Sequence, residues 1–106
     1  MSPVIHRGDV WWADVPGDKL RPVVVLTRER FTSRLNTLLV APVTTTVRNI
    51  PTEVGLDVGD GLPRDGAANF DNVFTLRRSR FKSRITRLGN DRLAEVCRAY
   101  RFAAGC

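Results

Sequence analysis

Two short apolar segments of this chain each end in polar side chains suited to binding an anion. The first, residues 21–26, begins with the guanidinium of Arg21, and the second, residues 38–45, ends in threonine hydroxyls. Apolar runs of this length are typical of buried strands. If the two strands pair antiparallel, Arg21 lies beside Thr44 at one rim of a sheet, supported by buried valines. An arginine binds phosphate oxygens through a rigid fork of N–H groups, so this rim is a candidate oxyanion or phosphate site.

The length of 106 residues predicts one domain, residues 1–106, whose core is small enough that a homodimer would be unsurprising. No run of about 18 apolar residues occurs, and the first residues lack a signal peptide's apolar region. We therefore expect a cytoplasmic protein without a membrane span. With two cysteines near the C-terminus and His6 as the single histidine, the sequence favours neither a disulfide framework nor a metal site or other cofactor.

Positive charge is concentrated in the last third of the chain. Residues 77–106 carry 9 Lys and Arg against 2 Asp and Glu, whereas residues 1–76 carry 8 against 9, and the net charge is +6. Such asymmetry favours binding of a polyanion, nucleic acid first, or of an acidic protein. Arg78 and Arg80 lie in the densest part of this basic segment and are candidate contacts for a nucleic-acid backbone. The alternative is a solvated basic face without a partner.

The pattern of apolar residues predicts a mostly antiparallel α+β fold with a C-terminal helix. We predict strands at residues 7–15, 21–26, 38–43, 52–56, 67–76 and 81–88, and a helix from residue 90 or 91 to about 103. Pro42 inside the third strand predicts an edge position or a bulge there. The last strand also has the charged alternate residues of an edge.

Two of these strands display further polar or aromatic side chains. In the first, Val10 and Trp12 share one face, and Trp11 points the other way. Trp11 either stacks on a nucleic-acid base or packs in a second core or a dimer contact. In the fifth, Asn69 and Asp71 fall on one face.

Four segments, taken in order, resemble the MazF/PemK (Kid) toxins over nearly the whole chain. They are Arg-Gly-Asp-Val from residue 7, Arg-Pro-Val-Val-Val-Leu from residue 21, Val-Ala-Pro-Val-Thr-Thr ending at residue 45, and Asp-Gly-Ala-Ala-Asn-Phe-Asp-Asn from residue 65. The resemblance implies a small SH3-like or CcdB-like antiparallel barrel with a C-terminal helix, forming a homodimer. It also implies a metal-independent endoribonuclease that cuts single-stranded RNA at short sequences, and a cognate antitoxin whose acidic C-terminal segment lies across the RNA site.

Matched position by position, the resemblance makes Arg21 the catalytic arginine and Thr44 the catalytic threonine. Asp71 matches an acidic residue of the active site or of base recognition, and Asn69 stands where one branch of the family has a catalytic arginine. Some members carry a histidine in a long first loop, whereas residues 16–20 are short and contain none. Thr45, Asn69, Asp71 and Trp11 are the candidates for base recognition.

The expected reaction is attack of the RNA 2′-hydroxyl on the adjacent phosphorus, leaving a 2′,3′-cyclic phosphate and a 5′-hydroxyl. Arg21 and Thr44 would stabilise the charge on the non-bridging oxygens, while the general base stays open. Two other functions compete with this one. A CcdB-type toxin binds DNA gyrase without cleaving nucleic acid, and a passive nucleic-acid-binding barrel would need Arg21 only for an ion pair with Asp71.

Overall fold

An antiparallel sheet of seven strands and one helix make up most of the regular structure of residues 4–105, the part of the chain that this computed structural model describes. The strands are β1 (Asp9–Asp14), β2 (Leu20–Val25), β3 (Thr37–Thr44), β4 (Glu53–Leu56), β5 (Gly66–Asn69), β6 (Phe74–Arg77) and β7 (Phe81–Arg87). The helix is α1 (Asn90–Ala104), and short 3₁₀ turns span Glu29–Phe31, Val58–Asp60, Phe70–Asn72 and Arg78–Arg80. Within residues 4–105, no helix is long and apolar enough to cross a membrane.

The strand order is β4-β5-β3-β2-β1-β7, and β6 pairs with the first half of β3. This arrangement confirms the mostly β, antiparallel fold with a C-terminal helix, and the edge position of β7. The sheet is not a closed barrel, however, because its outer strands β4 and β7 are not paired with each other within the described residues. The sequence pattern predicts which segments form strands, but it does not predict whether the two outer strands pair to close a barrel.

Both faces of the sheet carry an apolar core. One core lies beneath α1 and includes Val10 and Phe70, and the other includes Val23 and Leu38. Trp11 belongs to the second core with an exposed fraction of 6%, and its ring meets the Phe81 ring edge-on at 6.0 Å between centroids. The prediction that Trp11 stacks on a base is therefore corrected to the packed alternative. Alternation within β1 could not show that its second face is also covered.

The predicted strand at residues 67–76 is interrupted between β5 and β6. Asn69 ends β5, and its side-chain Oδ1 accepts the backbone N–H of Asp71 at 2.8 Å, which begins the 3₁₀ turn Phe70–Asn72. An asparagine side chain that bonds the backbone two residues ahead favours a turn over continued pairing. Asn69 and Asp71 consequently do not share a strand face, which corrects that prediction.

Pro42 lies in a central strand, so the prediction of an edge or bulge at this position is wrong. On one side β3 pairs with β2, where Val23 lies opposite Pro42 without a break in register. On the other side β6 pairs as far as Val40, and β5 begins at Val43. Pro42 falls in the gap between these two partners, where its missing N–H costs no ladder hydrogen bond.

Candidate active site

Strands β2 and β3 bring Arg21 and Thr44 to the same rim of the sheet. The pairs Val24–Ala41 and Val23–Pro42 fix the register, and two further steps place Arg21 opposite Thr44. Both side chains are partly exposed above buried residues of the second core. The juxtaposition expected from the sequence is therefore present.

The turn before β2 orients Arg21. Gly17 has a positive φ of 79°, and the N–H of Asp18 donates to the Val15 carbonyl at 2.9 Å, as in a turn with proline and glycine at its centre. The turn presents the Asp18 carboxylate, which accepts the Nε–H of Arg21 at 2.7 Å. This hydrogen bond and that from the Lys19 N–H hold the pKa of Asp18 below its usual value. The terminal Nη groups of Arg21 make no hydrogen bond to a residue within 4–105, and Arg21 lines the open rim of the sheet.

Thr44 is held through its side-chain hydroxyl and through the packing of β5 against its backbone. Its Oγ1 accepts the N–H of Thr46 at 3.1 Å, so its own hydroxyl proton is left to donate. Thr44 pairs with Ala67 of β5, and the neighbouring Gly66 lies against the Thr44 carbonyl. A Cβ at residue 66 would stand 2.4 Å from that oxygen, so glycine is required for this approach.

Two open hollows meet at this rim, and both are lined by Arg21, Thr44 and Thr46. The hollow that contains Asn69 and Asn72, called the asparagine hollow, has a volume of about 500 Å³. The hollow that contains Trp12, called the tryptophan hollow, has a volume of about 650 Å³. The other residues of the asparagine hollow are Val15, Asp18, Pro42, Arg48, Asn69, Asn72 and Phe74. Those of the tryptophan hollow are Trp12, Lys19, Leu20, Pro22, Val43, Thr45, Leu62, Pro63, Arg64, Asp65 and Gly66.

The hollows lie on opposite faces of the sheet. Val15 and Phe74 of the asparagine hollow pack on the second core, whereas Val43 and Leu62 of the tryptophan hollow belong to the core beneath α1. Arg21 and its neighbours thus form a ridge between two cavities. A linear polymer that lies across the ridge would place one of its groups against Arg21 and the threonine hydroxyls. The groups on either side of it would then lie in the two hollows.

Of the other residues predicted to bind RNA, Thr45 and Asn69 line the hollows, and four do not. Trp11 is buried, as described above. Asp71 is absent from both linings, and its carboxylate accepts the hydroxyl proton of Thr52 at 2.6 Å. The ion pair of Arg21 is made with Asp18 and not with Asp71, which removes the simplest account of a passive barrel.

Arg78 and Arg80 are engaged within the protein, away from the hollows. Arg78 donates to the carbonyl oxygens of Thr32 and Leu35, and Arg80 Nη1 donates to Asp14 Oδ2 at 3.0 Å. The prediction that these two arginines contact an RNA backbone stays a prediction, because both side chains are still partly exposed, Arg80 by 43%. Arg77, Lys82 and Arg84 of the same segment are exposed.

Trp12 and Arg48 line the hollows but are not among the residues that the sequence predicts to bind RNA. The alternation of β1 puts Trp12 on the face of Val10, and it lies far enough along β1 to line the tryptophan hollow. Arg48 belongs to a loop without a regular pattern, and it reaches the asparagine hollow. The only signal for Trp12 was a second tryptophan beside Trp11, and for Arg48 a cation close after the threonines.

Comparison with known proteins agrees with this architecture. Residues 6–103 match the family described as "PemK-like, MazF-like toxin of type II toxin-antitoxin system", and the chain belongs to this family. It is 42% identical over 103 residues, 96% of this chain and 100% of the relative, to "Probable endoribonuclease MazF2" of Mycobacterium tuberculosis H37Rv.

Solved structures of the same family superpose on this fold. The "Mycobacterium tuberculosis toxin MazF-mt6" matches with a TM-score of 0.85 and 33% identity, covering 92% of this chain and 96% of that one. A "MazE-MazF" crystal structure from Deinococcus radiodurans matches with a TM-score of 0.81 and 26% identity, covering 98% and 99%.

Proposed function

We propose that this protein is an endoribonuclease toxin that cleaves single-stranded RNA at short specific sequences, without a metal ion, and thereby inhibits translation and growth in the cytoplasm. Family membership and a relative named as an endoribonuclease support this class of activity. The observation that supports the site is the ridge itself, where Arg21 and Thr44 stand between two hollows. A phosphodiester on the ridge would have a nucleoside on either side, one for each hollow.

The RNA supplies the nucleophile in this proposal. Its 2′-hydroxyl oxygen forms a bond to the adjacent phosphorus, and the bond from phosphorus to the 5′-oxygen breaks. The products are a 2′,3′-cyclic phosphate and a 5′-hydroxyl, and the proton released by the nucleophile is balanced by the one that the leaving oxygen takes up. Arg21 donates from its Nη groups to the non-bridging oxygens and Thr44 adds its hydroxyl. One preorganised donor of this kind is worth roughly 10²–10³ in rate.

The protein accelerates the reaction mainly by electrostatic stabilisation of the transition state. Asp18 is the carboxylate nearest to Arg21 along the chain, but the hydrogen bond from Arg21 lowers its pKa, so it is a weak base. Its role is to fix the guanidinium. Modest turnover, limited by proton removal from the 2′-hydroxyl, follows from this arrangement.

Sequence preference would come from the hollows. Unstacked RNA bases are recognised by aromatic stacking and by hydrogen bonds to their edges. The tryptophan hollow offers the indole of Trp12 and the hydroxyl of Thr45, and the asparagine hollow offers the amide of Asn69. The Oδ1 of Asn69 already accepts the Asp71 N–H, so its amide nitrogen is the group left for a base.

A cognate antitoxin and a homodimeric state complete the proposal. The Deinococcus radiodurans neighbour was solved as MazE-MazF, which supports an antitoxin partner for this chain. An acidic antitoxin segment would compete with RNA for the ridge, and exposed Arg77, Lys82 and Arg84 would attract it before it docks.

Incubation of a long mixed-sequence RNA with the protein in EDTA tests the proposal. We expect discrete cuts whose downstream fragments accept phosphate from polynucleotide kinase without prior dephosphorylation, since their ends carry a 5′-hydroxyl. A folded, growth-inhibiting protein that makes no cuts would overturn the proposal and direct attention to a toxin that acts by binding, for example to gyrase.

A further inference from the structure

Glu53, at the start of β4, is a buried carboxylate close to the asparagine hollow. Its side chain is 2% exposed, and it accepts the backbone N–H of Arg48 at 2.9 Å and the Nε–H of Arg48 at 2.8 Å. Burial raises the pKa of Glu53, but these hydrogen bonds and one from the Asn49 N–H outweigh it, so the net pKa lies below the usual value. Glu53 is therefore an ionised group held inside the protein by Arg48.

The backbone N–H and the Nε–H of Arg48 are held by hydrogen bonds, whereas its Nη groups are not. Its backbone and its Nε both bind Glu53, while 49% of its side chain is exposed. Its Nη groups make no hydrogen bond to any residue of the described range 4–105, and Arg48 is one of the residues that line the asparagine hollow. Little conformational freedom remains to be lost when a ligand binds such a preorganised side chain.

The arrangement repeats the one at Arg21. In both cases a carboxylate takes the Nε–H and leaves the outer edge of the guanidinium for a ligand. That outer edge can bind phosphate oxygens through two parallel hydrogen bonds. The two arginines line the same hollow, so one cavity has two arginines in its lining, each held at Nε by a carboxylate.

The charge of the hollow depends on Arg48. The charged side chains in its lining are Asp18, Arg21 and Arg48, which sum to one positive charge. Glu53 is not part of this wall, but its carboxylate lies 2.8 Å from Arg48 Nε, so each of the two arginines has its own negative partner. Without Arg48, Glu53 would be left as an unpaired negative charge beside the cavity, which would disfavour a polyanion.

We propose that Arg48, positioned by Glu53, binds the phosphodiester next to the one on the Arg21–Thr44 ridge. This second phosphate site rests on the proposed ribonuclease function, since it takes the same RNA strand as its ligand. Arg48 sets the strand's position in the asparagine hollow but does not touch the reacting phosphorus. Glu53 is a positioning residue that acts through Arg48.

Binding of a short RNA with 2′-O-methyl groups throughout, which blocks cleavage, tests the proposal when measured by fluorescence anisotropy from low to high salt. For Arg48→Ala we expect about tenfold weaker binding at low salt and a salt slope smaller by about 0.7, the loss of one phosphate contact on a single strand. Arg48→Lys should restore the slope, whereas Arg34→Ala, at an exposed arginine outside both hollows, should leave binding unchanged.

With cleavable RNA, Arg48→Ala should raise KM more than it lowers kcat, because the contact is present before and during the reaction. Glu53→Gln should also raise KM, because Arg48 then loses the carboxylate that positions it. Since Arg48→Ala leaves a buried carboxylate without its partner, the double variant Arg48→Gln with Glu53→Gln provides a neutral pair if the single variant does not fold.

An unchanged salt slope in a folded Arg48 variant of an active enzyme would overturn the second phosphate site alone. If Arg48→Ala shows the predicted slope loss but the wild-type protein cleaves no RNA, the ribonuclease is overturned and the Arg48 contact stands. A wild-type protein that binds no RNA would overturn both.

Discussion

Asp18 accepts the Nε–H of Arg21 at 2.7 Å, and this one contact joins the turn between β1 and β2 to the candidate catalytic group. The turn is closed by the hydrogen bond from Asp18 N–H to the Val15 carbonyl. Because the carboxylate takes the Nε–H, the Nη groups are left for a ligand at the rim, where Arg21 lines both hollows. The geometry of the site therefore depends on a turn that contains no catalytic residue.

Replacing Asp18 by alanine should lower kcat by roughly 10²-fold, because a misplaced guanidinium loses alignment with the phosphate oxygens. RNA affinity should change less, since the charge of Arg21 remains. The measurement is single-turnover cleavage of a short RNA. Asp14→Ala is the matched control, because it breaks an aspartate–arginine pair that lies outside both hollows. Equal kcat for Asp18→Ala and wild type would show that Arg21 does not need Asp18.

Gly66→Ala should both destabilise the protein and reduce cleavage. The added methyl group would stand 2.4 Å from the carbonyl oxygen of Thr44, which is backbone and cannot rotate away. Overpacking of this kind typically costs about 1–3 kcal/mol, and here it would displace Thr44. Thermal unfolding and cleavage rates together test this. Gly55→Ala on the adjacent strand is the control, since nothing lies within 4 Å of its added Cβ, and a loss as large there would refute the steric argument.

The two tryptophans should respond differently to RNA. Trp12 lines the tryptophan hollow, whereas Trp11 is buried with its Nε1–H donated to Asp9 at 3.2 Å. In Trp11→Phe, whose only indole is Trp12, fluorescence should be quenched as a 2′-O-methyl RNA binds, because bases stack on exposed aromatic rings. In Trp12→Phe the remaining emission should stay constant. Quenching in the second variant alone would place the base beside Trp11 instead.

Stability should decrease as the solution is acidified below about pH 4.5, where carboxyl groups take up protons. Burial opposes ionisation of Glu53 and Asp60, but hydrogen bonds, including those from Arg48 and Arg92, bring their folded pKa below the usual 4.5 and 3.8. The unfolded chain thus binds protons first as pH falls, which favours unfolding, and the stabilisation is complete only above the unfolded values. Urea denaturation between pH 6 and 3 measures this, and Glu53→Gln should show a shallower loss. An identical slope in that variant would contradict it.

Local chemistry made part of this molecule predictable. The turn residues Pro16 and Gly17, the strand pattern and the polar ends of β2 and β3 sufficed to place Arg21 beside Thr44. The partial exposure of Trp12, the burial of Trp11 and the partners of Arg78 were not predictable in this way, because they depend on how the sheet packs against the loops and the helix. Arg48 was missed for a related reason: its importance comes from the buried Glu53, and burial of a carboxylate cannot be inferred from its neighbours in sequence.

The most direct test of the central claim is the cleavage rate of Arg21→Ala on a mapped RNA site in EDTA, compared with wild type and with Arg34→Ala. We expect wild type and Arg34→Ala to cut at the same positions and rates. Arg21→Ala should keep its thermal unfolding temperature and cut at least roughly 10²-fold more slowly. A folded Arg21→Ala protein that cuts at the wild-type rate would contradict the assignment of the Arg21–Thr44 ridge as the active site.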